Sequence, residues 1–149
     1  MPVATKAETA ITVANRLRPV LLRMARELRR EANAFGVTGG QASLLAVVEG
    51  NERIGLGELA AGEGVSAPAM SKHVDRLEQA DLVRRVPGSS GDRRRVEIEL
   101  TPAGSRTLRR VRSHRTAWLA ARLGQLDEHE LEALDAAIEP LTALLRAAA

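Results

Sequence analysis

Apolar residues at Ile11, Ala14, Leu17, Leu21, Met24, Ala25 and Leu28 recur every three or four positions, which predicts one long amphipathic helix over residues 8–33. Pro19 falls inside it and is expected to bend or interrupt it, because proline lacks the N–H that the helical ladder needs. Thr38 with Gln41 three residues later has the form of a capping box, opening a helix whose inner side is Leu44, Leu45, Val47 and Val48 and which Gly50 ends. A brief extended segment over 53–56 leads to a short helix over 58–63 with Leu59 and Ala60 inward, closed by a turn at Gly62 and Gly64.

Ser66 is the N-cap of the next helix, with Pro68 in its first turn and Met70, Val74 and Leu77 on one stripe. Asp81 marks its exit. Two strands follow, over 82–86 and 95–100, joined by the turn Pro87 to Asp92; in the second, Val96, Ile98 and Leu100 alternate with Arg95, Glu97 and Glu99. Thr101 and Pro102 start a long helix to about Leu123, and Asp127 with Glu130 caps a last helix of period Leu131, Leu134, Ile138, Leu141 and Leu145, which Pro140 weakens.

The order of helix, tight turn, second helix and two-stranded hairpin describes a winged helix-turn-helix. In such a motif the second helix presents its N-terminal residues to base edges in the major groove, which is wide enough to admit it. Once its core stripe is subtracted, that helix leaves Ser66, Ala67, Pro68, Ser71, Lys72 and Arg76 on the outer side as the DNA-binding set.

Composition sharpens this. The 149 residues hold 44% apolar positions, enough for one sizeable core, and 22 basic against 19 acidic residues. The basic excess is local: residues 82–95 contain Arg84, Arg85, Arg93, Arg94 and Arg95 against Asp92 alone. A hairpin tip carrying Arg93 and Arg94 can send a guanidinium into an adjacent minor groove, where a narrow groove concentrates negative potential. On this reading the excess sits in the wing to meet DNA, and Asp92 holds a neighbouring arginine in place.

The segments Leu77-Glu78, Asp81-Leu82-Val83, Asp92-Arg93-Arg94 and Leu100-Thr101-Pro102-Ala103-Gly104 together resemble the MarR (multiple antibiotic resistance regulator) family of bacterial transcription regulators, over about residues 10–145. An Asp-x-Arg wing followed by a strand and Leu-Thr-x-x-Gly is specific to that family. The resemblance implies an α+β, mostly α chain: a winged helix-turn-helix lobe over 38–100, with helices at 8–36 and 102–148 forming a dimerisation lobe. It implies a homodimer on double-stranded DNA carrying a pseudopalindromic operator, usually acting as a repressor of its own or neighbouring genes. Asp92 and Arg94 match the family's paired wing residues, and whether Arg93 or Arg94 enters the groove is open. Ala67 and Pro68 depart from the pattern: they offer no side-chain donors, which shifts the expected readout toward DNA shape.

Leu17, Leu21, Trp118, Leu131, Leu134, Ile138 and Leu141 are the expected dimer contacts. Many relatives release DNA on binding a small aromatic or lipophilic anion between the dimer helices and the winged lobe, which makes Arg16, Phe35 and His114 the pocket candidates here. The absence of cysteine excludes thiol chemistry and cysteine-based oxidant sensing within the chain. His73, His114 and His129 fall in three different elements, so no metal and no cofactor is expected. No nucleophile occupies a recognisable strained turn, so no enzyme activity is expected. Without a long apolar run or a signal-like start, the protein is expected in the cytoplasm and off the membrane. The other reading is a winged-helix module that contacts protein, its DNA binding weak or lost.

Overall fold

We describe residues 4–89, 91 and 94–147 of a computed structural model. Six helices and a small sheet follow in the order α1 (Lys6–Arg30), a 3-10 turn (Glu31–Phe35), α2 (Gly39–Gly50), β1 (Ile54–Gly55), α3 (Leu56–Gly62), α4 (Ala67–Gln79), β2 (Val83–Pro87), β3 (Val96–Leu100), α5 (Pro102–Leu123) and α6 (Glu128–Ala147).

Local chemistry sets most of these boundaries. Thr38 Oγ1 accepts from the Gln41 amide while the Gln41 side chain accepts from the Thr38 amide, so α2 opens on the expected capping box. Asp127 and Glu130 do the same for α6. A third box, of Thr5 and Glu8, caps α1, which therefore starts two residues before the helix that the apolar stripe predicts. Nor does Pro19 interrupt that helix. It lies within a continuous α1 whose residues are all at least partly exposed, where water can satisfy the carbonyl that proline leaves unpaired. Pro140 is accommodated within α6 in the same way.

The hairpin is also larger than expected. β1 adds to the outer edge of β3, giving an antiparallel three-stranded sheet in the order β1-β3-β2, with Ile54 opposite Ile98 and Arg85 opposite Ile98 on the other side.

The chain divides into two compact units, Met1–Arg112 and Ser113–Ala149. In the first, Leu45, Leu59, Met70, Leu77, Ile98 and Leu108 are fully buried and unite α2, α3, α4, β3 and the start of α5 in one core. Removing side chains of this size from water contributes about 1.5–3 kcal/mol each. α1 contributes no buried residue: Ile11, Val13, Val20, Leu21 and Leu22 are exposed along it. The second unit has the same character. Along α6, Leu131, Leu134, Ile138, Leu144 and Leu145 are exposed, Ile138 at 59%, and the helix contributes no buried residue.

Candidate nucleic-acid interface

α4 is built to show one side. Ser66 Oγ accepts from the Ala69 amide, and Pro68 occupies the first turn, where no intrahelical bond from its nitrogen is needed. Met70, Val74 and Leu77 are each 1% exposed and fasten the inner side. Of the predicted contact set, Ser66, Ala67, Pro68, Lys72 and Arg76 are exposed, while Ser71 is half-buried.

The C-terminal ends of α3 and of α4 close in the same manner. At the end of α3 the Val65 amide donates to Ala60 O and the Gly64 amide to Ala61 O, with Gly64 at φ +66°. At the end of α4 the Leu82 amide donates to Leu77 O and the Asp81 amide to Glu78 O, with Asp81 at φ +59°. Each is a Schellman closure, which needs a left-handed residue just past the helix. The second is further secured by Thr101, whose hydroxyl donates to Asp81 O and accepts from the Gly104 amide.

The wing stands beside α4. Of its predicted contacts, Asp92 and Arg93 lie outside the described residues, and Arg94 is exposed. The remaining arginines of the basic cluster do not face outward as free charge, which corrects the sequence reading. Arg84 donates to Glu99, its cross-strand neighbour, which Arg53 also engages at 3.1 Å. Arg95 pairs with Glu58 on α3 at 3.0 Å. Arg85 pairs with Asp75 at 2.7 Å and Glu78 at 2.9 Å. All four carboxylates come from outside residues 82–95, so a count within that window could not see them. Glu99 is held below the ordinary carboxylate range, first by the hydrogen bond from Arg84 and then by the charges of Arg84 and Arg53.

Glu97 is the other carboxylate at the wing's root. Its Oε1 accepts from the amide and hydroxyl of Ser89, and its Oε2 is buried with no hydrogen-bond partner among the described residues.

A cavity of about 280 Å³ opens between α2 and α4, lined among others by Thr38, Gln41, Leu44, Val65, His73 and Arg76. None of the expected pocket residues lines it: Arg16 is exposed on α1, Phe35 packs half-buried against the core, and His114 is half-buried on α5. Trp118, an expected dimer contact, is half-buried on α5 with the Arg122 guanidinium 3.5 Å from its ring centroid.

Residues 35–95, which carry α2, β1, both helices of the motif and β2, match the MarR family model. The HTH-type transcriptional repressor MdtR of Bacillus subtilis is 31% identical over 105 residues, 70% of this chain and 67% of MdtR. The chain belongs to the MarR family. This MarR-family protein is also similar along almost its whole length to two crystal structures. AbsC, a MarR family transcriptional regulator from Streptomyces coelicolor, is 27% identical, with 99% of each chain covered and a TM-score of 0.62. YusO from Bacillus subtilis is 28% identical, with 98% of this chain and 100% of YusO covered and a TM-score of 0.70.

As a MarR-family member it is a DNA-binding transcriptional regulator with a winged helix-turn-helix fold, and not an enzyme. Among the described residues no helix is long and apolar enough to cross a membrane.

Proposed function

We propose that this MarR-family chain works as a homodimer that represses its own or neighbouring genes from a pseudopalindromic operator and is released by a small aromatic or lipophilic anion. The observation that carries the reading is the separation of α4 into a fully buried stripe and an exposed tip, with Arg94 of the wing also exposed. On this reading Ser66, Ala67, Pro68, Ser71, Lys72 and Arg76 face the major groove and its phosphates, and Asp92, Arg93 and Arg94 form the minor-groove contact.

The dimer accounts for the apolar residues that one chain leaves in water. Leu21, Leu131, Leu134 and Ile138 are 37–59% exposed, and Leu17, Trp118 and Leu141 are half-buried. A second copy covering these helices would bury them, as amphipathic stripes of this length require. Two such protomers present two recognition helices to half-sites about one helical turn apart. An effector that prefers a different spacing of those helices lowers operator affinity by its differential affinity for the two states. Arg16, a cation, and Phe35, a ring, are the candidates in the first unit to meet such an anion, and His114 is the candidate in the second.

The pairing of Arg84, Arg85 and Arg95 with carboxylates favours a second reading, in which the wing meets a protein. Fluorescence anisotropy against labelled duplex from the gene's own upstream region, at two salt concentrations and with random duplex as competitor, separates the two. Saturable binding by two chains per site that survives competitor and weakens steeply with salt supports the regulator; binding equal to random duplex favours the protein contact.

A further inference from the structure

Arg85 is on the edge strand of the sheet, yet nearly all of its polar capacity is spent on α4. Its Nη1 donates to Glu78 Oε1 at 2.9 Å, and its Nη2 donates to the Ser71 carbonyl and Ser71 Oγ at 3.2 Å each and pairs with Asp75 Oδ1 at 2.7 Å. Its backbone amide donates to Glu78 Oε2 at 3.1 Å. Ser71, Asp75 and Glu78 are spaced by four and three residues, so they occupy one side of α4 over two turns. Among the described residues β2 pairs with β3 alone, so the outward amide of Arg85 would otherwise be an unpaired edge group; the Glu78 carboxylate takes the place of a further strand.

We propose that Arg85 is a positioning residue for DNA recognition: its guanidinium locks the rotation and height of α4 against β2, and so fixes the recognition tip relative to the wing. The proposal rests on the reading that α4 and the wing meet DNA together. Rotating or sliding α4 by one turn would break the contacts to Ser71, Asp75 and Glu78 at once. Arg85 itself is poorly placed to reach a phosphate, since its side chain is only 25% exposed and already faces two carboxylates. The planar fork is essential to this role, because a lysine ammonium is a single point that cannot span Ser71 and Glu78 together.

The consequence is a change in discrimination rather than in general attraction to DNA. The test uses the full chain, a duplex recovered by the wild-type protein from a random-sequence library, and a random duplex of equal length. Arg85→Gln and Arg85→Lys are expected to lower affinity for the recovered duplex by at least about ten-fold, the size of one charge-assisted hydrogen bond. Affinity for random duplex should stay within about two-fold, and the slope of log affinity against log salt should not change, since no phosphate contact is removed.

An equal loss on both duplexes, with a salt slope shallower by about one, would make Arg85 a phosphate ligand and overturn the proposal. A lowered melting temperature with an unchanged ratio between duplexes would reduce it to a stabilising residue, with the same consequence. Should the Arg85 variants not fold, Glu78→Gln and Asp75→Asn decide, because both carboxylates are about half-exposed and outside the core. A reduced ratio there supports the lock, and an unchanged ratio overturns it. A wild-type chain that recovers no preferred duplex would instead sink the DNA reading beneath it, and the lock with it.

Discussion

Gly104 lies directly beneath the carbonyl group of Leu82: a Cβ at position 104 would fall far inside the contact distance of that oxygen. Leu82 is the residue that closes α4, and its carbonyl also accepts from the Thr101 amide at 3.1 Å. Glycine at 104 is therefore what allows α5 to start against the end of the recognition helix. Gly104→Ala should destabilise the fold by about 1–3 kcal/mol, the range of an overpacked core, as read from urea unfolding. An unchanged midpoint would mean that α5 starts elsewhere.

Asp81 carries a side chain at φ +59°, a conformation in which L residues are strained by about 1–2 kcal/mol. Glycine relieves that strain and gives part back as chain entropy, so Asp81→Gly should raise stability by about 0.5–1 kcal/mol. Its carbonyl, the acceptor for Thr101, is unaffected by the change. Thermal unfolding of the two proteins at equal concentration checks this, and a fall in the midpoint contradicts it.

Glu99 ionises more readily in the folded chain than in an unfolded one, because Arg84 and Arg53 favour its anion. The folded state therefore binds fewer protons. This contribution is fully present above the ordinary value of 4.5 and disappears as pH falls through the lowered one. Glu99→Gln should lower the urea midpoint at pH 7 and narrow the gap between pH 7 and pH 3. Parallel pH profiles for variant and wild type would show that the pair contributes nothing.

Leu134 and Ile138 are exposed on adjacent turns of α6. The double change Leu134→Asp, Ile138→Asp should give a folded monomer by sedimentation velocity and remove high-affinity operator binding, because two half-sites then bind independently. A monomer that still holds the full operator as tightly as wild type would exclude the dimer as the binding unit.

Replacing Arg93 and Arg94 together by alanine should reduce operator affinity steeply and flatten its salt dependence, leaving circular dichroism and sedimentation unchanged. Undiminished affinity would remove the wing from the interface.

What could be read from the sequence was local. Thr38 with Gln41, Ser66 with Pro68, and Asp127 with Glu130 each act within three residues, so their helices begin where the sequence places them. The stripe Met70, Val74, Leu77 is fully buried for the same reason of short range. What could not be read depends on folding bringing distant residues together. Glu58 meets Arg95 across 37 residues and Glu99 meets Arg84 across 15, so a cluster with little compensating charge in its own window is largely paired. β1 is two residues long, too short to alternate visibly, and is ordered by β3. Arg85 counts toward the basic excess of residues 82–95, although the spacing of Ser71, Asp75 and Glu78 on one side of α4 carries the signal of a partner lying alongside.

Ala67 and Pro68, at the outer tip of α4, are exposed, and apart from the Ser66 cap the side chains that anchor the helix lie from Met70 onward. The chain thus keeps its address label apart from its frame. If α4 meets DNA as proposed, substitutions at Ala67 and Pro68 retarget the protein to another sequence while the frame stays intact, whereas drift at Gly104 or Leu82 would cost the frame first. Engineered variants with new operators are best sought by randomising that tip alone.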